Sequence, residues 1–329
     1  MVEETSSDEP QENASEGKPE EDGKAYDLSN IHDQVGMFRD DLDDDQIKAL
    51  ISNHIENIVK SNGLDKYAVV LLFDEYHSIN GFHSDRIYRS ISNLNQSKDI
   101  LMFIESGGGE IEPAYLISKT CKRLSKAHFD VSIARRAKSA ATLISLGASE
   151  IHMGLLSELG PIDPQFGGFP ALGLANAVEK IAAMAERFPD ASDMFAKYLT
   201  DNVNIRDLGY FERINESATQ YAIRLLNGKD LPNGQTCEGL ADHFTNHYKD
   251  HGFVIDSDEA CELLGESVVK VGTNQYQAAN SIYEFLNFLD FLFGIFKNKN
   301  LRYVGSIENG LDLVEKEKNN LTRPTTAAR

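Results

Sequence analysis

Cysteine is scarce in these 329 residues. Cys121, Cys237 and Cys261 stand far apart, form no C-x-x-C pair and are odd in number, which excludes a disulfide framework and fits a reducing compartment. They read as buried thiols. Positive charge is also in deficit, with 32 Lys and Arg against 52 Asp and Glu and a formal net charge of −20. A general nucleic-acid binder needs basic surface to displace counterions, so that class is excluded, and anionic membranes are disfavoured. Long apolar runs are missing too. The most apolar stretch, Ile282 to Phe296, carries Glu284, Asn287 and Asp290 and is too short and too polar to span a bilayer. The opening Met1-Val2-Glu3-Glu4-Thr5-Ser6-Ser7-Asp8 lacks the basic, apolar and small-residue order of a signal peptide. A cytoplasmic location is expected.

What is present, 41% apolar and 26% charged residues, suits a globular chain with one large domain or two ordinary ones. The charge is uneven, because residues 1–45 hold 16 acids and 3 bases. Residues 1–25, rich in Glu, Ser, Asp and Pro, are expected to be a disordered acidic tail, since they offer too little apolar surface to offset the entropy of ordering. A main domain is expected over 26–297, with a C-terminal strand or loose tail over 298–329. Asp40-Asp41-Leu42-Asp43-Asp44-Asp45 has the carboxylate density of an EF-hand loop but neither its turn glycine nor its distal Glu, and reads as a solvated helix start. Ile47, Leu50, Ile51, Ile55 and Ile58 then recur at helical spacing.

Buried-strand runs alternate with helices from there. Strands are predicted over 67–73, 100–104, 129–134 and 150–153, and helices over 84–94, 113–124 and 139–146. Strands apolar on both faces imply a mainly parallel sheet covered by helices on each side, with function at the loops leaving strand C-termini. Residues 170–226 read as helices broken near Pro189 and Asp207, followed by a polar loop, a histidine-bearing helix and a short final helix. Ala278 to Phe296 reads as a Phe-rich helix.

Two strand-to-helix junctions carry candidate chemistry. Ser106-Gly107-Gly108-Gly109 follows a buried strand, and its glycines leave backbone N–H groups unobstructed, as an oxyanion hole or phosphate cradle requires. It has neither dinucleotide-fingerprint nor Walker spacing. At the second junction Ser139 ends a turn and is followed by small residues, so its hydroxyl stands at a helix N-terminus beside the Ala140 N–H. An N-cap serine is the alternative reading.

With the element Gly160-Pro161-Ile162-Asp163-Pro164-Gln165 downstream, the order of these junctions resembles the Clp/crotonase-fold serine peptidases. The branch resembled most is that of the serine dehydrogenase proteinase (SDH-type) and SppA-like enzymes. The resemblance covers roughly residues 65–265 and implies an α/β fold, a Clp/crotonase-like spiral of β-β-α units with a mainly parallel sheet and C-terminal helices. It further implies peptide-bond hydrolysis through a Ser/Lys dyad, no cofactor, a peptide or protein substrate and a homo-oligomer. Ile162-Asp163-Pro164-Gln165 has no histidine where the ClpP relatives carry theirs. A lysine base must be desolvated to be neutral. Lys180 has Asn176, Ala177, Ala183 and Met184 at helical spacing and no carboxylate among them, whereas Lys197 faces Asp193 and Asp201, and Lys138 should diverge from Ser139. Ser139 and Lys180 are therefore the expected catalytic pair, with Gly108, Gly109 and Ala140 as the oxyanion hole.

Other readings stay open. A crotonase-like acyl-CoA hydratase or thioesterase would use the same oxyanion geometry without a reactive serine, and a non-catalytic interaction protein could retain the fold. His243, His247 and His251 are spaced by four on one expected helix but lack a zinc motif, and read as solvated or packing histidines. Asp74 and Glu75 read as loop acids, and Arg135 and Arg136 as charges on the rim of a groove.

Overall fold

The structure is a computed structural model and describes residues 25–316 apart from 41, 95, 167–168 and 203–204. The acidic stretch 1–24 and residues 317–329, read from sequence as loose tails, lie outside the described residues.

The chain opens with α1 (Ile31–Arg39) and α2 (Asp44–Ser61), then runs β1 (Tyr67–Asp74), α3 (Gly81–Ile91), β2 (Asp99–Ser106), α4 (Ile111–Leu124), β3 (Phe129–Ala137), α5 (Ala140–Leu146), β4 (Ile151–Met153) and β5 (Glu158–Leu159). A small hairpin, β6 (Gln165–Phe166) and β7 (Phe169–Pro170), leads into α6 (Ala171–Arg187), α7 (Ser192–Asn202) and α8 (Ile205–Leu226). There follow α9 (Cys237–Asp242), α10 (Ser257–Leu264), β8 (Val269–Val271), α11 (Asn274–Phe296), β9 (Lys299–Ser306) and β10 (Leu311–Glu315).

The main sheet has the order β10-β9-β1-β2-β3-β4-β8, with β5 paired to the end of β3. Strands β1, β2, β3, β4 and β8 are parallel, and β9 and β10 are antiparallel additions at one edge. The period-2 alternation of strand side chains divides the core. Val70, Leu72, Ile100, Met102 and Ile104 belong to one buried cluster with residues of α3, α4, α5 and α8. Val69, Leu71, Phe73, Leu101 and Phe103 belong to the other, with α1, α2 and α11. Burial on both faces is why these strands lack polar alternation, and each fully covered Ile, Leu or Phe contributes about 1.5–3 kcal/mol.

The acidic run before α2 starts that helix as expected, through a capping box between Asp43 and Gln46. Asp44 is more than a solvated charge, because Lys297 at 3.0 Å and Lys299 both pair with it and tie α2 to the end of α11. The hydrogen bond from Lys299 leads the effects that hold the Asp44 carboxyl below its ordinary value. The segment after 297 is not loose through 315, since β9 and β10 complete the sheet beside β1. The second break in the 170–226 helices precedes α8, and Asp207 lies inside that helix. Cys121 is buried, whereas Cys237 and Cys261 are only half-buried. Helix α11 buries Ile282, Phe285, Leu286, Leu289, Leu292 and Phe293 and leaves Phe291, Ile295 and Phe296 exposed. Among the described residues no helix is long and apolar enough to cross a membrane.

Candidate active site

The C-terminal ends of β1, β2 and β3 converge on a cavity of about 600 Å³, and Ser139, Gly107, Gly108, Gly109, Asp74 and His251 are among the residues that line it. Ser139 occupies the N-cap position of α5 without acting as a cap: its side chain makes no capping hydrogen bond, and its backbone has φ 50° and ψ −116°. A non-glycine residue in such a conformation costs about 1–3 kcal/mol and persists only where its surroundings over-determine it. Those surroundings are identifiable. Every residue of α5 is buried. The Ala141 N–H donates to Lys138 O at 2.8 Å and the Lys138 N–H to Ser106 O at 3.1 Å. The Thr142 hydroxyl donates to Ala137 O at 2.6 Å and accepts the Gly160 N–H at 2.9 Å.

The glycine turn packs directly on this junction. Gly108 has φ +104°, and a Cβ there would meet Lys138 O and Ser139 Cβ, each at 2.7 Å. Gly109 is pressed as closely against Ile79, where a Cβ would lie 2.3 Å from the backbone nitrogen. Of the three expected oxyanion donors, the Gly108 N–H is turned onto Ser106 Oγ at 3.2 Å. The N–H groups of Gly109 and Ala140 have no hydrogen-bond partner among the described residues. Gly108 thus serves by allowing close approach, and the other two remain the available donors.

Lys180 does not meet the condition set for it. It lies on α6, is exposed to solvent and is not among the residues lining the cavity. Its helical neighbours lack carboxylates, as the spacing indicated, but Asn176, Ala177 and Met184 are exposed as well, so none of these neighbours desolvates the amine. Lys138 diverges from Ser139 as expected and pairs with Glu158 at 3.0 Å while donating to Phe253 O at 2.9 Å.

A histidine does reach the cavity. His243 and His247 stack with ring centroids 4.2 Å apart, but the helix-like segment ends at His247 and His251 sits in the turn beyond it. The expectation of three histidines on one helix is therefore corrected. His251 Nδ1 is hydrogen-bonded to Asp163 Oδ1. Asp163 is 3% exposed and belongs to the Gly160–Gln165 element, which the Gly160 and Ile162 N–H groups anchor to Thr142 Oγ1 and Phe244 O. The only advance signal was a carboxylate within that element and a histidine far downstream.

Asp74 is also more than a loop acid, being 2% exposed and hydrogen-bonded to His77 Nδ1 at 3.0 Å and His83 Nε2 at 3.3 Å. Burial acts to raise its carboxyl, but the bonds from His83 and His77 outweigh it and hold the group below its ordinary value. Arg136 pairs with Glu105 at 3.0 Å and Glu75 at 3.2 Å, and Arg135 with Asn280 and Glu284, so both cations are engaged within the protein.

A mainly parallel sheet with helices on both faces, a glycine turn and a serine at the next strand-to-helix junction make this a ClpP-like α/β fold. Residues 65–200 match the family model of ClpP-like SDH-type serine proteinases, a span that includes the glycine turn, Ser139, Asp163 and Lys180 and ends before His251. This is the family resembled by the motifs at Ser106–Gly109, Ser139 and Gly160–Gln165. Two uncharacterized proteins of Methanocaldococcus jannaschii are similar in sequence: 37% identical over 100 residues (30% of this chain, 35% of that protein), and 34% over 94 residues (29% and 32%). The chain thus spans about a third of the length of these curated relatives. Among solved structures, a mutant of the 1510-N membrane-bound stomatin-specific protease in complex with a substrate peptide aligns over 77% of this chain and 89% of that one, at 16% identity and TM-score 0.40. A second mutant of that protease aligns over 77% and 97%, at 16% identity and TM-score 0.39.

Proposed function

We propose that the protein is a serine peptidase in which Ser139 is the nucleophile and His251, oriented by Asp163, is the base. The observation that carries this reading is the strained Ser139 backbone lining the same cavity as a histidine held by a buried carboxylate. With Nδ1–H donated to Asp163, His251 Nε2 is left with a lone pair. It takes the Ser139 hydroxyl proton as Oγ attacks the scissile carbonyl, and returns that proton to the leaving amine as the C–N bond breaks. A water, deprotonated by the same nitrogen, then attacks the acyl carbon, and the bond to Oγ breaks as His251 returns the proton to Ser139. The N–H groups of Gly109 and Ala140 stabilise the oxyanion in both halves. The role of Lys180 as base is supported by the resemblance alone. The acyl-CoA alternative uses the same oxyanion donors but gives no role to the Ser139 backbone or to the His251–Asp163 pair.

A fluorophosphonate probe should label the wild-type chain at Ser139, and Ser139→Ala should abolish both labelling and hydrolysis of a peptide panel. Labelling that survives the substitution, or turnover of acyl-CoA thioesters that ignores it, sinks the reading.

The substrate is a peptide or protein segment, and the acting form is a homo-oligomer. Support for self-association comes from the exposed Phe291, Ile295 and Phe296 at the end of α11, a cluster of large apolar side chains costly to leave in water. Phe291→Glu with Ile295→Glu should lower the sedimentation coefficient to that of a smaller species. A wild-type chain that sediments as a monomer at micromolar concentration ends that part of the proposal.

A further inference from the structure

At the opposite end of the sheet from Ser139, three metal-ligating side chains stand together. Asp130 is the second residue of β3, and Glu150 and His152 flank Ile151 at the start of β4. The parallel register aligns Val131 with Ile151 and Ser132 with His152, so strand alternation sends Asp130, Glu150 and His152 to one face. One ligand atom from each lies within 4.8 Å of the other two. Asp130 and His152 are 2% and 1% exposed, and Glu150 is half-buried, giving the cluster an opening to solvent.

The decisive atom is His152 Nε2, which is buried and has no hydrogen-bond partner among the described residues. It faces Glu150 Oε2 at 3.6 Å, which is too long for a hydrogen bond. A buried imidazole nitrogen left unpaired in a folded protein calls for an explanation. The other ring nitrogen is occupied, since Nδ1 meets Thr273 Oγ1, the N-cap of α11, at 3.0 Å. With Nδ1–H donating to that hydroxyl, the ring is oriented and Nε2 is the nitrogen left for a metal. Asp130 is likewise supported from outside, accepting from Tyr67 Oη at 3.1 Å and from the Glu150 N–H at 3.2 Å. Two neighbouring carboxyl groups and a buried imidazole nitrogen without a partner are a donor set that a divalent cation would satisfy. The nearby amines of Lys229 and Lys270 are turned onto the carbonyl oxygens of Ala148 and Glu266.

We propose that Asp130, Glu150 and His152 form a site for a divalent metal ion, and that the ion is zinc. One imidazole nitrogen and two carboxylate oxygens suit zinc better than magnesium or calcium, which take oxygen ligands. With zinc bonds of ~2.0–2.2 Å, tetrahedral ligands lie about 3.3–3.6 Å apart. The Glu150–His152 separation is already close to that, and the fourth position falls to water. Such an ion would tie β3 and β4 to the start of α11 through Thr273, far from the catalytic cavity, so its effect is on stability.

The test uses the full chain stripped with a chelator and titrated with zinc chloride by calorimetry, with cobalt(II) as an absorbing substitute. One zinc per chain, tetrahedral cobalt bands and a melting temperature that rises on adding zinc are expected. Glu150→Gln, at a half-exposed position that should leave the fold intact, should weaken zinc binding at least tenfold and remove the thermal shift. His152→Asn should abolish binding, and if that variant does not fold, Glu150→Gln carries the test. The pair His243→Asn and His247→Asn should bind zinc like wild type. No zinc uptake, uptake unchanged by Glu150→Gln, loss of uptake on changing His243 and His247, or magnesium bound as tightly as zinc would each overturn the proposal.

Discussion

Helix α5, which begins directly after Ser139, and helix α6, which carries Lys180, differ in almost every physical respect. Helix α5 is seven residues long and buried throughout, and its first turn is fastened to β3 and to the Gly160 element by hydrogen bonds from the backbone and Thr142. Helix α6 is longer and amphipathic, yet Lys180 and most of its described side chains face solvent. A side chain on α5 is placed by everything around it, and one on α6 largely by its own helix. Positioning to a few tenths of an ångström comes from the first arrangement only.

Catalysis should break along the same line. His251→Ala should reduce peptide turnover by about 10²–10⁴-fold, the range for losing a general base, with circular dichroism unchanged. If Lys180→Ala is the inactive variant and His251→Ala is not, the contrast between the helices has been misread and α6 must close over the cavity during turnover.

Stability should divide similarly, with opposite signs at two glycines. Gly108→Ala would drive a Cβ into Lys138 O and Ser139 and force a left-handed backbone on alanine, costing roughly 1–3 kcal/mol in chemical denaturation. Gly209→Ala, at an exposed position of α8 with nothing within 4 Å of the new methyl, should stabilise by about 0.5–1 kcal/mol. A neutral result at Gly108 would mean that the glycine turn can retreat from Ser139.

Acid should act on the cavity side as well. The Asp74 carboxyl sits below its ordinary 3.8 when folded, so the unfolded chain takes up the proton first as pH falls. The stability contributed by Asp74 is fully present above about pH 5 and is lost as pH drops through the folded value. Asp74→Asn should therefore flatten the acid limb of a melting-temperature profile while lowering stability near neutrality. An unchanged acid limb would show that His77 and His83 do not stabilise the carboxylate. The smallest effect belongs to Lys180→Ala, for which turnover and melting temperature should both stay near wild type, as usual for an exposed side chain.

The strand and helix alternation was legible in the sequence because a strand buried on two faces must be apolar at every position, as Val69 to Phe73 and Ile100 to Ile104 are. Ser139 was legible for a local reason, since the junction and its small neighbours are contiguous. The base was not. Ranking lysines by residues three and four away samples only the lysine's own helix, whereas desolvation is set by what other elements lay over it. His251 was hidden by the opposite error: a spacing of four suggested one helix, and the segment ends at His247 because Tyr248 turns extended, with its hydroxyl bound to Glu259. The partnership of His251 with Asp163 depends on a contact between segments far apart in the chain, and neither segment alone signals it.

Thr142 has a consequence for how the cavity fails. Its one hydroxyl closes two circuits, taking the Gly160 amide and giving its own hydrogen to Ala137, so the serine turn and the loop that presents Asp163 share a single clasp. Loops joined in this way are coupled: Thr142→Val, which removes both bonds at once, should speed hydrogen exchange at the Gly160 amide and at the start of α5 together. Loosening at the nucleophile is thereby passed to the loop that presents the carboxylate, and the reverse, through one side chain that takes no part in the chemistry.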